Sequence, residues 1–253
     1  MRLLQVPRHR LYLDPEVTAR TAARYRRLAS RASAGEPVQY LVRSAPFLDF
    51  DVHVDRRVLI PRPETEELVA RTLARIRSVS EPSAVRRRLF AMDFGTGSAC
   101  IAIAMARALP KADVLAVDAS KAALAVAARN VARYGLARRI RLAQARAIGE
   151  PVLARLRGRL DLLISNPPYV PTPRLARLDR IVRREPRLAL DGGPKGTNIV
   201  AMLLTHGPVL LRPGGLLAVE IDATHEAVVR RLAPTAEIER DLSGRIRYAF
   251  LTR

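Results

Sequence analysis

The chain of 253 residues contains little cysteine, tryptophan and lysine. Its single cysteine, Cys100, excludes an internal disulfide and a zinc cluster built from cysteines. Tryptophan is absent, and aromatic residues make up 4% of the sequence, which leaves few platforms for stacking nucleic-acid bases. Lysine occurs only at positions 111, 121 and 195, so arginine supplies most of the positive charge.

Long apolar runs and metal-ligand spacings are absent as well. No stretch approaches the roughly 20 apolar residues that a membrane-spanning helix needs. Residues 1–8 lack the apolar region of a secretory signal. The four histidines, at positions 9, 53, 206 and 225, are scattered without the spacing of a metal site. The sequence therefore predicts a cytoplasmic protein with no membrane contact and no metal.

The net charge of +20 has two interpretations. A basic surface is typical of proteins that meet nucleic acid or an RNA-rich partner. The bias toward arginine and alanine also fits a GC-rich coding sequence and a merely solvated surface. Charge alone does not select a function.

The order of apolar segments predicts an α/β protein. From residue 89 onward strands alternate with helices, which is the pattern of a parallel sheet with crossover helices. We expect strands near 89–94, 113–117, 140–144, 160–165 and 216–221, and an edge strand at 248–251. We expect helices near 99–108, 121–134, 197–211 and 224–232.

The preceding segments are predicted from their end signals. A helix over 14–34 would have Asp14 as N-cap and Pro15 in its first turn. A β-like segment over 47–59 follows, then a helix that opens within 60–67, with Glu64 or Thr65 near its cap, and a polar linker over 77–88. The Arg-rich stretch 170–198 is long enough to be a functional lid or a mobile surface loop.

A tetrapeptide turn, Asn166-Pro167-Pro168-Tyr169, directly follows the apolar run 160–165. Both prolines lack an N–H, and they restrain the residues before them to extended geometry. The Asn166 side-chain oxygen and the Pro167 carbonyl could therefore accept the two hydrogens of one NH2 group, beside the flat face of Tyr169. This turn predicts chemistry on an amine or an amide.

A glycine-rich turn, Gly95-Thr96-Gly97-Ser98-Ala99, lies between a predicted strand and a predicted helix. Such a turn lets backbone N–H groups approach an anion. Position 100 is cysteine, so the dinucleotide pattern of three glycines is incomplete. Asp118 closes the next strand, where a ribose-binding acid is expected. The pattern favours S-adenosylmethionine, with its carboxylate at the turn and its ribose at Asp118.

With these motifs in view, the chain resembles the release-factor glutamine methyltransferases, the PrmC or HemK-type family. The resemblance extends from about residue 10 to the end. Its most specific segment is LIPRPETE (59–66), which favours this branch over the related ribosomal-protein branch. The segments are GEPVQY (35–40), LIPRPETE (59–66), DFGTGS (93–98), NPPY (166–169), EPRLALDGG (185–193) and DLSGR (241–245).

The resemblance implies a seven-stranded S-adenosylmethionine-dependent methyltransferase sheet with a short helical N-terminal appendage. It implies an appendage over 1–45, a β-segment, helix and linker over 46–88, and the methyltransferase domain over 89–253. The implied reaction is N5-methylation of the glutamine in the Gly-Gly-Gln loop of class-1 peptide chain release factors. The resemblance also implies a monomer that contacts nucleic acid only indirectly. By the resemblance, residues 95–99, Asp118, Ala147 and Asn166 bind the cofactor, and residues 166–169 hold the glutamine.

Three features depart from the family pattern. Ala99 stands where glycine is usual, and Arg146 stands where an acidic residue meets the adenine edge, followed by Ala147 beside the ring. Only 34 residues precede Gly35, so we expect the family's first helices to be absent. Glu220 ends a predicted strand, where it either lines the pocket or serves the structure.

Two other functions remain open. An N6-adenine methyltransferase would use the same turn on an exocyclic amine, and the basic charge favours it. However, the 84 residues after Tyr169 are taken up by predicted strands and helices, which leaves no target-recognition domain. A degenerate family member that binds release factor or RNA without turnover is the non-enzymatic alternative, and Arg146 and the short N-terminus motivate it.

Overall fold

The computed structural model describes residues 17–79 and 88–253. Its strands are β1 (Ala45–Phe47), β2 (Phe50–Val52), β3 (Phe90–Phe94), β4 (Asp113–Asp118), β5 (Ile140–Gln144), β6 (Leu160–Ser165), β7 (Leu211–Glu220), β8 (Glu237–Arg240) and β9 (Ile246–Thr252). Its helices are α1 (Ala19–Ser33), α2 (Val38–Val42), α3 (Pro63–Val79), α4 (Cys100–Ala108), α5 (Lys121–Arg133), α6 (Pro151–Ala154), α7 (Asn198–His206) and α8 (Glu226–Leu232). No helix within these described residues is both long and apolar enough to cross a membrane.

Seven strands form one sheet in the order β5-β4-β3-β6-β7-β9-β8. Strands β3 to β7 pair in parallel, whereas β9 pairs antiparallel with both β7 and β8. The predicted seven-stranded α/β fold is confirmed. The expectation that residues 248–251 form an edge strand is wrong, because β9 lies inside the sheet and β8 forms the edge. The sequence of β8, Glu-Ile-Glu-Arg, has one apolar residue in four and gave no strand signal.

The hydrophobic core lies in two layers, one on each face of the sheet. All six residues of the central strand β6 are buried, as expected for a parallel strand that is covered on both faces. Helices α3, α4 and α5 contribute Leu68, Ile103 and Val126 to one layer. Helices α7 and α8 contribute Leu203 and Val229 to the other. These helices therefore cover both faces of the central part of the sheet.

The helices α4, α5 and α8 lie within two residues of their predicted bounds. Helix α7 ends at His206, so the predicted helix over 197–211 was too long. A 3-10 turn over Gly207–Val209 follows, and β7 begins at Leu211. Pro208 accounts for the change, since its ring is incompatible with a helix interior.

Two further helix boundaries differ from the predicted ones. Helix α1 begins at Ala19, and Thr18 is its N-cap, with the Thr18 side chain accepting the Thr21 N–H at 3.2 Å. The predicted cap at Asp14 and Pro15 lies outside the described residues. Helix α3 continues to Val79, three residues into the predicted linker, and residues 80–87 of that linker also lie outside the described residues.

The β-like segment predicted over 47–59 is a short hairpin, β1–β2, followed by irregular chain. Asn130 on α5 joins this segment to the glycine turn. Its side-chain oxygen accepts the His53 N–H at 2.7 Å, and its amide donates to the carbonyls of His53 and Ser98, each at 2.9 Å. Asn130 and His53 are buried, so these bonds are shielded from water. They fix the position of the chain that leads into residues 57–62.

Candidate active site

The two predicted turns lie side by side at the carboxyl ends of β3 and β6. These strands are neighbours in the sheet, and Asp93 is in register with Ile164. Buried Ser165, the last residue of β6, donates its hydroxyl proton to the Phe94 carbonyl at 2.6 Å. This bond brings Gly95 and Asn166 together, so that a Cβ on Gly95 would lie 3.8 Å from the Asn166 backbone oxygen.

The glycine turn adopts left-handed backbone conformations. Gly95 has φ +80° and Gly97 has φ +53°, and the N–H groups of Gly95 and Thr96 both donate to the Val117 carbonyl at 2.8 Å. Ala99, the N-cap of α4, has φ +65°. A left-handed alanine costs roughly 1–2 kcal/mol. The usual glycine at this position therefore has a backbone reason, beyond any contact of the methyl group with a ligand.

Asp118 closes β4 opposite the glycine turn. Its Oδ2 accepts the Gly97 N–H at 2.9 Å, and its Oδ1 accepts the Ser120 N–H at 2.8 Å. Burial raises the pKa of this carboxyl, and the hydrogen bonds from the Ser120 and Gly97 N–H groups oppose the rise. Each carboxylate oxygen keeps a further acceptor site. Asp118 can therefore accept from a diol while it holds the glycine turn.

A cavity extends from Asp118 to the Asn-Pro-Pro-Tyr turn. Predicted site residues that line it are Gly95, Gly97, Asp118, Asn166, Pro167 and Pro168. The lining suits S-adenosylmethionine, because Asp118 could accept from its ribose hydroxyls while Gly95 and Gly97 have no side chain that would obstruct its approach to the turn. Bound there, the cofactor would be held by Gly95, Gly97 and Asp118.

The remaining predicted cofactor residues lie outside that cavity. Thr96, Ser98 and Ala99 are buried, and the Thr96 hydroxyl donates to Asp93 at 2.6 Å. Ala147 lines a different, apolar cavity beside α7, whereas Ala145 and Arg146 line the cofactor cavity. A contact of Ala147 with the cofactor stays a prediction, and Ala145 is a second candidate for it because it lines the cavity that contains Asp118.

A second cavity of about 140 Å³ lies on the other side of the turn. Arg62, Tyr169, Val170 and Leu190 line only this second cavity. Asn166 and Pro167 line both cavities, together with Leu59 and Ala189. The turn therefore forms the boundary at which molecules in the two cavities would meet.

Asn166 and Pro167 both present free acceptors. The Asn166 amide nitrogen donates to Thr65 Oγ1 at 2.7 Å. Within the described part of the chain, neither Asn166 Oδ1 nor the Pro167 carbonyl accepts a hydrogen bond. The Pro168 and Tyr169 carbonyls instead face Gly192 and Gly196. The two predicted acceptors, Asn166 Oδ1 and the Pro167 carbonyl, are therefore available to a ligand NH2 group.

Two buried side chains, Glu220 and His225, contact Tyr169. Its hydroxyl lies 3.2 Å from Glu220 Oε1, and its ring meets the edge of His225 at 6.4 Å between centroids. Burial, followed by the nearby charge of Glu220, raises the pKa of Tyr169. The hydroxyl therefore stays protonated, and Tyr169 offers its ring rather than a base.

The start and the later part of the stretch 170–198 are hydrogen-bonded to each other directly after the turn. Val170 and Asp191 form a parallel bridge, the Val170 N–H donates to the Leu190 carbonyl, and the Gly192 N–H donates to the Val170 carbonyl, both at 2.9 Å. Short 3-10 turns occupy much of the intervening chain. Residues of this stretch, Leu190 among them, line the cavities beside the turn, and the two expectations, a functional lid and a mobile surface loop, both stay predictions.

Sequence reasoning missed the supporting contacts of two residues, Thr65 and Glu185. Thr65 bonds both Asn166 and Glu220, at 2.7 and 2.8 Å. Buried Glu185 accepts from Arg62 and from the Ile60 N–H. Thr65 and Glu185 fall inside the two most distinctive sequence blocks, but the pairing across more than 100 residues has no local signal.

The fold and the two adjoining cavities define the class as S-adenosylmethionine-dependent methyltransferases. Solved structures support the fold. The catalytic domain of hMettl16 in complex with the MAT2A 3'UTR hairpin 6 aligns with a TM-score of 0.60 and 13% identity, over 79% of this chain and 74% of that one. A methyltransferase from Pyrococcus furiosus aligns with a TM-score of 0.56 and 17% identity, over 93% and 98%.

Sequence comparison identifies the family. The methyltransferase small domain family matches residues 81–194, and the PrmC N-terminal domain family matches residues 1–42. A release factor glutamine methyltransferase from Moorella thermoacetica is 43% identical over 228 residues, which is 90% of this chain and 76% of that protein. One from Chlorobaculum tepidum is 41% identical over 233 residues, or 91% and 78%. The chain belongs to the release factor glutamine methyltransferase family, and S-adenosylmethionine is its methyl donor.

Proposed function

We propose that this enzyme methylates the side-chain nitrogen N5 of the glutamine in the Gly-Gly-Gln motif of class-1 peptide chain release factors. The observation that carries the proposal is the pair of free acceptors, Asn166 Oδ1 and the Pro167 carbonyl, at the boundary of two cavities. In this proposal the enzyme acts as a monomer in the cytoplasm, contacts nucleic acid only indirectly and serves translation termination.

The two acceptors address the weakness of the nucleophile. A primary amide nitrogen is unreactive because its lone pair is delocalised into the carbonyl. Hydrogen bonds from its NH2 group to Asn166 and Pro167 favour a pyramidal nitrogen and offset the positive charge that develops on it. Such acceptors are already in place before the reaction, so they stabilise the transition state more than the ground state.

The surrounding residues orient the amide and exclude water. The Tyr169 ring, Val170 and Leu190 line the cavity that would confine it. Bound S-adenosylmethionine supplies an electrophilic methyl group on its sulfonium. Holding the amide nitrogen against that group converts an encounter into a positioned reaction. Tyr169 stays protonated, so the proton of the methylated amide leaves to solvent after transfer rather than to this residue.

The N6-adenine alternative has less support. The same turn would hold an exocyclic amine, and the net charge of +20 suits a polyanion. The relatives that are 43% and 41% identical, however, bear the release factor name. Among the described residues, Tyr169 is also the only aromatic one that lines the second cavity of about 140 Å³, which leaves little to stack a base.

The test offers labelled S-adenosylmethionine with purified release factor and with duplex DNA, and maps the product by mass spectrometry. We expect one methyl group on the Gly-Gly-Gln glutamine. The Asn166→Ala variant should lose methyl transfer while it keeps most of its cofactor binding in calorimetry. Label on adenine would contradict the proposal. An unreactive protein that also fails to bind the cofactor would indicate a degenerate family member.

A further inference from the structure

Thr65, in the first turn of α3, connects the candidate catalytic turn to a buried carboxyl. Its hydroxyl oxygen lies 2.7 Å from Asn166 Nδ2 and 2.8 Å from Glu220 Oε2. Thr65 is 3% exposed and Glu220 is 1% exposed, so the connection is closed to solvent. Glu220 ends β7, and three separate elements therefore converge on one chain of hydrogen bonds.

The number of protons that each group can donate sets the direction of these hydrogen bonds. A carboxylate only accepts, and a hydroxyl has one proton to donate. Ionised Glu220 takes that proton from Thr65, and its other oxygen accepts from the Tyr169 hydroxyl at 3.2 Å. The Thr65 oxygen can then only accept from Asn166. The Asn166 nitrogen must point toward Thr65, which leaves its oxygen on the side of the cavities.

We propose that Thr65 and Glu220 are positioning residues that hold the Asn166 amide with its oxygen toward the substrate. They thereby make the site select a group that donates two hydrogens, such as a primary amide. The inference rests on the proposed role of Asn166 in holding that amide. A reversed Asn166 would present its own NH2 group to the NH2 group of the substrate, and neither could accept.

The direction of the hydrogen bonds between Glu220, Thr65 and Asn166 depends on the ionisation of Glu220. Protonated Glu220 can donate to Thr65, which can then donate to Asn166 and so stabilise the reversed amide. Burial raises the pKa of Glu220 to about 7, against hydrogen bonds from Thr65 and Tyr169. The productive direction therefore prevails above about pH 7 and is lost as pH falls below it.

Other charged or titratable groups lie around Glu220 on the neighbouring elements. Arg247 lowers the pKa of Glu220 and stays charged, since its own pKa is raised. Glu64 raises the pKa of Glu220. Tyr248 on β9 has a pKa raised by burial, and burial lowers the pKa of His225 behind Tyr169, so both stay neutral near pH 7.

The activity test compares isosteric variants on one helix. Thr65→Val removes the hydroxyl, and we expect kcat to fall about 10- to 100-fold, in line with the loss of one buried hydrogen bond. Thr65→Ser should restore most of kcat. The matched control is Thr72→Val, also on α3, whose buried hydroxyl bonds only the Leu68 carbonyl at 2.7 Å. Equal losses in Thr65→Val and Thr72→Val would overturn the inference.

A double-mutant cycle separates positioning from general damage. If Thr65 acts through Asn166, Thr65→Val should not lower further the small residual rate of the Asn166→Ala variant, measured in single turnover with enzyme in excess. An undiminished additional loss would contradict the inference. In wild type, kcat should fall about tenfold per pH unit below about pH 7, and Glu220→Gln should abolish this dependence. A pH profile that is unchanged in Glu220→Gln would also overturn it.

A measurement without turnover distinguishes this inference from the proposed function. The side-chain amide of Asn166 can be followed by nitrogen-15 NMR in the substrate-free protein and identified by its loss in Asn166→Ala. We expect its resonance to titrate with a midpoint near pH 7, and the titration to vanish in Glu220→Gln. A titrating amide in an enzyme that does not methylate release factor would refute the proposed function alone. A resonance insensitive to pH would refute the orientation mechanism.

Discussion

The Glu185 carboxylate accepts a hydrogen bond from the Ile60 backbone N–H at 2.9 Å, across 125 positions of the sequence. Its other oxygen pairs with Arg62. Glu185 lies in the stretch 170–198, whereas Ile60 and Arg62 lead into α3. The buried Glu185 side chain therefore joins the sequence blocks 59–66 and 185–193, which both line the second cavity.

Replacing Glu185 with alanine should impair substrate binding more than cofactor binding. The Ile60 N–H would be left buried without an acceptor, which costs about 1–3 kcal/mol. Arg62, a lining residue of the second cavity, would also lose its partner. We expect a raised KM for release factor, with the S-adenosylmethionine Kd nearly unchanged, in steady-state kinetics and calorimetry.

Arg187→Ala is the control for that variant. Arg187 lies on the same stretch, but its ion pair with Asp191 is exposed, and exposed pairs contribute roughly 0–1 kcal/mol. If Arg187→Ala raised KM as much as Glu185→Ala does, the effect would belong to the stretch in general and not to the buried bond.

Gly196→Ala should disrupt the turn by a close contact. Gly196 has φ +76°, and a Cβ there would lie 2.3 Å from the Tyr169 carbonyl oxygen. We expect a loss of about 2–4 kcal/mol in the free energy of unfolding, from overpacking and left-handed strain together. Methyl transfer should fall as well, because the displaced carbonyl belongs to the residue that flanks the substrate.

Gly214→Ala separates the two contributions. Gly214 has a similar φ of +73°, but nothing lies within 4 Å of its Cβ position. Denaturant unfolding should therefore show only the backbone strain, about 1–2 kcal/mol, with activity retained. Equal destabilisation of both variants would mean that the contact with Tyr169 is relieved at no cost.

Local patterns in the sequence were sufficient to predict the α/β fold and the turn at residues 166–169. The all-apolar β6, the glycine turn and Asp118 are contiguous signals, and the structure brings Gly95, Gly97, Asp118 and Asn166 to one cavity. Their cofactor and substrate contacts remain predictions. The edge strand β8 was missed, since strands at an edge need few apolar residues.

The supporting residues could not be predicted in the same way. Thr65 contacts residues 101 and 155 positions away, and a threonine in the first turn of a helix usually suggests a cap. The position of Ala147 depends on how the chain turns after β5, where Glu150 accepts the N–H groups of both Arg146 and Ala147. No periodicity in the sequence reports such a turn.

Arg146→Asp should strengthen cofactor binding. Arg146 lines the cofactor cavity at the position where the family resemblance implies an acidic residue against the adenine edge. An aspartate there could accept a hydrogen bond from the exocyclic NH2 group of the adenine. One such bond should lower the Kd for S-adenosylmethionine about 3- to 10-fold. Calorimetry with S-adenosylmethionine measures the change. Arg141→Asp makes the same charge change at an exposed site on β5, and equal tightening there would show a long-range charge effect instead.

Asp118→Asn should weaken S-adenosylmethionine binding by about 10- to 100-fold, the range of a hydrogen bond to a charged group. Both Asp118 oxygens accept a backbone N–H, from Gly97 and Ser120, so an asparagine NH2 group would oppose one of these donors. The displaced glycine turn would add to the loss of the ribose acceptor. Asp113→Asn, at the other end of β4 and paired with exposed Arg88, is the control and should bind normally. Unchanged cofactor affinity in Asp118→Asn, measured by calorimetry on folded protein, would remove Asp118 from the site.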